Sequence, residues 1–250
     1  MPTPQNIGVS GALGRMGQAI IAAVNARADL NLAAQFDRPG PTPEDLAACA
    51  VIIDFSSPAA SASLATKAAA RGGPALVIGS TGLSAGEEEA IVAAAKSVAI
   101  VRSGNFSLGV NVLAGVVKET AQRLGALDWD IEITEAHHRR KVDAPSGTAL
   151  MLAEAAARGR GVNLADATVP ARHGLTGPRP DGAIGFSVLR GGGIIGEHAV
   201  VFATEDEILT LSHSARDRSL FARGAVAAAL WLPGKPPGLY DMMDVLGFRT

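Results

Sequence analysis

Between residues 7 and about 106 the chain alternates short apolar runs with alanine-rich amphipathic stretches, and this alternation constrains the fold more than any other feature. Ile7 to Val9, Val51 to Phe55, Ala75 to Ile78 and Val98 to Val101 read as buried strands. Met16 to Ala26, Pro58 to Arg71 and Glu87 to Lys96 follow the helical period between them. Strands apolar on both faces and separated by helices imply a parallel sheet covered on both sides. Ser57 and Pro58 mark one helix start, the serine as a cap for free N–H groups and the proline with its pre-set φ at the first helical position.

After Asn105 the pattern changes. A helical stretch from about Asn111 to Leu124 precedes Trp129, Ile131 and Ile133, which alternate with Asp130, Glu132 and Thr134 as in a half-buried strand. Ser146 to Arg158 reads as a helix, and residues 159–182 as a loop-rich stretch. Ile184 to Arg190, Ala199 to Ala203 and Ile208 to Ser212 read as strands joined by short turns, as in an antiparallel or mixed sheet, before Ser219 to Leu232 restores an alanine-rich helix.

Composition excludes several classes of function. The 250 residues are 48% apolar with a formal net charge of −2, which argues against a general nucleic-acid binder. No apolar run approaches the roughly 18 residues of a membrane span, and the first basic residue is Arg15, so no secretory leader is visible. Cys49 is the only cysteine, so no intrachain disulfide forms. The expectation is a cytoplasmic protein without nucleic-acid or membrane partners.

Gly11-Ala12-Leu13-Gly14-Arg15-Met16-Gly17 joins the first strand to the first helix. Glycines there let the backbone approach a pyrophosphate, and the helix offers free N–H groups and a positive dipole end. A glycine triplet alone is also compatible with a plain tight turn. Its strand-to-helix setting favours a dinucleotide, as does Asp37, which follows Gly17 by 20 positions and is placed for ribose hydroxyls. Arg38, next to it, can pair with a 2′-phosphate. The balance of one flexible cation against a carboxylate predicts use of both NADH and NADPH with a modest NADH preference. Gly79-Ser80-Thr81-Gly82 and Ser103-Gly104-Asn105-Phe106 also fall at strand ends; each alone reads as an ordinary turn, but three such loops at one edge favour a shared ligand.

The densest cluster of chemistry is Glu135-Ala-His-His-Arg-Arg-Lys-Val-Asp-Ala-Pro-Ser-Gly-Thr148, with five nitrogen-bearing side chains in a row after a strand and before a helix. A solvated basic loop, a nucleic-acid patch, a metal site and a small-anion site are all conceivable. Adjacent histidines lack the spacing of a helical zinc pair, so no metal is expected. An anion site fits better, because His138 and Lys141 bring positive charge while Ser146, Gly147 and Thr148 open a helix. His137 has a reference pKa suited to carrying a proton near neutrality.

That segment resembles the signature of the 4-hydroxy-tetrahydrodipicolinate reductase (dihydrodipicolinate reductase) family. Gly11–Gly17, Asp54-Phe55-Ser56, Gly196-Glu-His198 and Gly238 to Leu246 are similar to other segments of that family. The resemblance implies an α/β fold: a Rossmann-type doubly wound parallel sheet in residues 1–107 and 218–250, and a second α+β domain with a mixed or antiparallel sheet in residues 108–217. The second domain would bind substrate and build a homotetramer. It further implies NAD(P)H-dependent reduction of a cyclic dicarboxylate with loss of water, in lysine biosynthesis via diaminopimelate. His137 and Lys141 would be catalytic, and His138, Gly147 and Thr148 would bind substrate. Gly11 to Met16, Asp37, Arg38, Gly79 to Thr81 and Ser103 to Phe106 would contact the cofactor. A non-catalytic dinucleotide sensor, or a reductase of another small imino or keto acid, is the alternative reading.

Overall fold

The computed structural model describes residues 3–169 and 172–249. They form two compact units, one of residues up to Leu108 together with those from Ser219 onward, the other Gly109–Arg218.

The first unit runs β1 (Gln5–Ser10), α1 (Arg15–Asn25), β2 (Leu30–Phe36), α2 (Pro43–Ala48), β3 (Val51–Asp54), α3 (Pro58–Arg71), β4 (Ala75–Ile78), α4 (Ala85–Ala94) and β5 (Ala99–Arg102). The second unit contains most of α5 (Leu108–Arg123), then β6 (Asp130–His137), α6 (Gly147–Arg160), α7 (Leu164–Ala167), β7 (Ile184–Arg190), β8 (Glu197–Ala203) and β9 (Ile208–Ser214). The chain returns to the first unit with α8 (Ser219–Trp231), β10 (Gly238–Tyr240) and α9 (Met242–Val245).

The six strands of the first unit are parallel, in the order β10-β5-β4-β3-β1-β2. Alternation along each strand supplies two cores. Ile7, Val9, Ile53, Val77 and Val101 meet Ile20 and Val24 of α1 and the small residues of α8 on one face. Ile52, Leu76, Ile78 and Ile100 meet Leu64 of α3 and Ile91 of α4 on the other. Each such side chain contributes about 1.5–3 kcal/mol when buried. The chain order reverses between β1 and β3, which opens a crevice at their carboxyl ends.

Two sequence readings need correction. The edge strands β2 and β10 lie outside the runs read as strands; Asn31 and Gln35 interrupt β2, and β10 is only three residues long. Ser57 is the N-cap of α3 as expected, with Pro58 following, but its side chain makes no capping hydrogen bond.

The second unit holds a mixed sheet in the order β7-β6-β8-β9, with β6 parallel to β7 and the other pairs antiparallel. Ile131, Ile133, Val200 and Phe202 face Leu152 and Ala153 of α6 and Val117 of α5. No helix of the described residues is long and apolar enough to cross a membrane.

Candidate active site

Parallel strands put the loops after β1, β2, β3, β4 and β5 at one edge of the first sheet. Gly11, Gly14, Asp37 and Arg38 line one cavity of about 330 Å³ there, together with Phe55 to Ser57 and one face of α3. The glycines are needed for packing. Gly11 has φ +73° and a Cβ on it would meet the Phe55 carbonyl at 2.8 Å, while a Cβ on Gly17 would fall 2.1 Å from the Gly11 carbonyl oxygen. The loop's own N–H groups are mostly engaged: Gly11 and Ala12 donate to the Phe36 carbonyl and Leu13 to Asp37. The first intrahelical bond of α1 is from Gln18 to the Gly14 carbonyl, and Gly14 has no side chain to cap the turn. The N–H groups of Arg15, Met16 and Gly17 are therefore without helical acceptors, an arrangement that fits a pyrophosphate.

The other expected contacts divide. Leu13 and Arg15 are exposed, whereas Ala12 is buried and its carbonyl accepts from Gln18. Thr81 and Gly104 are exposed, but the Ser80 hydroxyl is buried against Ser61 at 2.7 Å, within a network centred on the buried Asp54. Ser103 closes its own turn with Asn105, and Phe106 is buried against Phe55 with ring centroids 5.4 Å apart. From Ser80 and Phe106, then, side-chain contact with a ligand in the crevice is not what the fold offers. Gly79 is required because a Cβ would strike the Phe55 ring at 2.3 Å.

In the second unit β6 extends through His137, further than the sequence pattern indicates. Its period of two places Ile131, Ile133, Glu135 and His137 on the face that α6 covers, so the apolar core gives way to a buried carboxylate and an imidazole at the carboxyl end. The Glu135 side chain is fully buried and accepts four hydrogen bonds from three residues. Arg190 donates twice, at 2.9 and 2.8 Å, the Ser146 N–H donates at 3.1 Å, and His137 donates from Nδ1. The parallel register explains the clamp, since His137 lies opposite Arg190. Burial pushes the Glu135 carboxyl up, but hydrogen bonds from Arg190, His137 and Ser146 outweigh it and hold the group below the ordinary carboxylate range. With Nδ1 bonded to Glu135, the neutral His137 ring leaves Nε2 as its acceptor. A Cβ on Gly196 would sit 3.2 Å from that nitrogen, so the absence of a side chain keeps it approachable.

His198 lies opposite Glu135 on β8, and its ring packs edge-on to His137 with centroids 5.0 Å apart. Its Nε2 is 3.1 Å from the Ser146 hydroxyl, which itself accepts from the Ala149 N–H and caps α6. Burial, together with the neighbouring His137, pushes His198 down to about 4, so it is neutral at physiological pH. Gly147 and Thr148 occupy the first turn of α6. Lys141 is ion-paired to Asp143 at 2.8 Å, and this contact keeps the Asp143 carboxyl below its usual range. Burial and the charges of Arg140 and Arg218 lower His138.

Glu135, Arg190 and His198 are the polar residues of this centre to which the sequence reading gives no role, whereas Ser146 is read as part of the helix start. The alternation on β6 signals Glu135, two positions before His137; the others depend on strand pairing. Glu135, His137 and His198 also bring potential ligand atoms within 4.8 Å of one another, a grouping invisible in the linear run of histidines. Arg190 already occupies both oxygens of that carboxylate, which disfavours a cation there.

Residues 5–106 match the family model described as dihydrodipicolinate reductase, N-terminus, and residues 109–246 match dihydrodipicolinate reductase, C-terminus. The chain is 62% identical to the 4-hydroxy-tetrahydrodipicolinate reductase of Caulobacter vibrioides, covering 100% of both chains. It is 51% identical to that of Rhizobium rhizogenes over 97% of this chain and 96% of the relative. A dipicolinate-bound dihydrodipicolinate reductase from Paenisporosarcina sp. TG-14 shares the fold, with a TM-score of 0.79 at 21% identity over 97% of this chain and 99% of the other. The chain belongs to the dihydrodipicolinate reductase family.

Proposed function

We propose that this protein reduces 4-hydroxy-tetrahydrodipicolinate to tetrahydrodipicolinate with loss of water, using NADH or NADPH, in lysine biosynthesis via diaminopimelate. The observation that carries the reading is the convergence of a clamped imidazole, a cationic loop and a helix N-terminus at the end of β6. The reduced nicotinamide supplies the hydride. The first turn of α1 would hold the dinucleotide's pyrophosphate, and the cavity beside Asp37 would hold its adenosine ribose.

The chain's own residues supply charge and protons. Lys141, as an ammonium, leaves Asp143 to donate a proton to the atom that gains electron density as the substrate is reduced. A positioned general acid of this kind contributes about 10² to 10⁴ in rate. Glu135 and Arg190 keep His137 in one orientation and one tautomer, with Nε2 free to exchange a proton or to hold the substrate. The N–H groups at the start of α6, with Gly147 and Thr148, hold one carboxylate, and His138 contributes to the same recognition. Binding by both ends fixes the ring for transfer.

The purified protein, incubated with either nucleotide and the freshly generated hydroxylated cyclic substrate, is expected to consume the nicotinamide absorbance and form tetrahydrodipicolinate, identified by mass spectrometry. Nucleotide binding without turnover supports a sensor instead. The same reading makes the protein a cytoplasmic homotetramer, assembled through the sheet face of the second unit that no helix covers. That face carries Leu189 and Ile208, which are 53% and 70% exposed.

A further inference from the structure

The cavity beside the glycine loop has a second wall that the sequence pattern did not connect to it. Ala60, Ser63, Leu64 and Lys67 lie on one face of α3, at helical spacings of three and four, and all line the cavity opposite Arg38, Pro39, Gly40 and Pro41. The Lys67 Nζ is 3.9 Å from the position a Cβ of Gly40 would take. Neither the Lys67 ammonium nor the Arg38 guanidinium has a hydrogen bond or ion pair with any described residue, so both charges are available at the cavity wall. Asp37 is differently placed. Its two carboxylate oxygens accept the N–H groups of Leu13 and Arg38, at 3.2 and 3.1 Å, so its charge is partly offset by backbone dipoles at the mouth of the glycine loop.

We propose that Lys67 and Arg38 form a two-cation seat for the 2′-phosphate of NADPH and that Lys67 makes NADPH the preferred nucleotide. This rests on the dinucleotide-binding reading and names the specificity of that site. A ribose hydroxyl is satisfied by Asp37 alone and gains little from an ammonium across the cavity. A 2′-phosphate brings nearly two negative charges, which one cation beside Asp37 would barely compensate. With Lys67 added, the seat carries two positive charges against one negative, and Ser63, one turn before Lys67, adds a hydroxyl donor on the same face. The modest NADH preference expected from Asp37 and Arg38 alone is thereby reversed, because the deciding charge comes from a helix 29 positions further along the chain.

The test is direct titration of the full-length protein and its Lys67→Ala and Lys67→Arg variants with NADPH and NADH, following nucleotide fluorescence, with 2′,5′-ADP and 5′-ADP as non-reacting competitors. The wild type is expected to bind NADPH and 2′,5′-ADP more tightly than NADH and 5′-ADP. Lys67→Ala should weaken the two phosphorylated ligands about tenfold or more, as loss of a charge-assisted bond requires, and leave the other two within about twofold. Lys67→Arg should retain most of the discrimination, and added salt should erode it. Equal affinities in wild type and Lys67→Ala, or equal loss for all four ligands, would overturn the role of Lys67 while leaving dinucleotide binding intact. Failure of the wild type to bind either nucleotide would overturn both readings.

Discussion

At the level of single residues, the centre at the end of β6 is built so that each polar group is held by another. Glu135 is the hinge of this arrangement, because a fully buried carboxylate is tolerated only when its lone pairs are filled, and Arg190, Ser146 and His137 fill them. Lys141 differs in being held by a single exposed carboxylate. Replacing Lys141 with Ala is therefore expected to lower kcat by about 10² or more with nucleotide affinity unchanged; wild-type turnover in the variant would remove Lys141 from the mechanism. His198 carries a distinct, pH-dependent prediction. Its folded value of about 4 lies below the ordinary 6.5, so as pH falls the unfolded chain takes up the proton first. Stability from this group is complete above pH 6.5 and declines toward pH 4, by about 3 kcal/mol in total. Glu135, also lowered, acts in a lower window: its contribution is present above the ordinary 4.5 and is lost as pH falls beyond it. Urea unfolding of His198→Asn at pH 7 and pH 5 should show a smaller acid loss than the wild type. Parallel losses in the two proteins would exclude His198 as the source. His213, lowered by burial, acts in the same direction and stays constant in this comparison.

Among the secondary-structure elements, α8 returns the chain to the first unit through a closely packed face of small residues. Its Ala222, Ala225, Ala228 and Ala229 are all buried against the face that α1 also covers. A Cβ on Gly224 would lie 1.6 Å from the Phe106 carbonyl oxygen, a distance that only a shift of the helix could relieve. Gly224→Ala should accordingly destabilise the protein by about 1–3 kcal/mol, read as a lower urea midpoint. Gly86 in α4 has open space around it, and Gly86→Ala should be neutral or stabilising by up to about 1 kcal/mol. If the two variants unfolded alike, the close contact at Gly224 would not be the cause. The same reasoning separates the two helix starts at the candidate sites. At α6 the Ser146 hydroxyl caps the Ala149 N–H and the Ser146 N–H donates to Glu135, whereas at α1 the cap is a glycine with no side chain to cap the first turn. An extended pyrophosphate suits the second, a single carboxylate the first.

For the molecule as a whole, the mixed sheet is covered by helices on one side only. Strand register places Ala136, Leu189, Ala199, Val201 and Ile208 on the other side, interleaved with polar residues such as Thr134, Ser187, Thr210 and Ser212, a mixed face in which Leu189 and Ile208 are the large exposed apolar side chains. Introducing Leu189→Lys and Ile208→Lys together is expected to shift the protein to a smaller species in sedimentation while circular dichroism stays native. An unchanged sedimentation coefficient would place self-association elsewhere.

The features legible without the fold are those governed by local spacing. The alternation of apolar runs and amphipathic stretches specifies the two-sided parallel sheet. The glycines from Gly11 to Gly17 and the Pro145-Ser146-Gly147 start of α6 announce themselves through turn and capping chemistry, and α3 runs over the span its period indicates. Edge strand β2 escapes this logic because a partly exposed strand mixes polar and apolar residues without a clear period. What only the tertiary structure decided is which distant groups meet. Arg190 reaches Glu135 across 55 positions and His198 reaches Ser146 across 52, through strand register. Lys67 reaches the cavity beside the glycine loop because α3 packs its apolar side on the sheet and turns the adjoining face toward the loop after β2. Register and helix docking are set by burial summed over a whole sheet face, a quantity no short window of sequence contains, and so the partners of each charge emerge only when the chain has closed on itself.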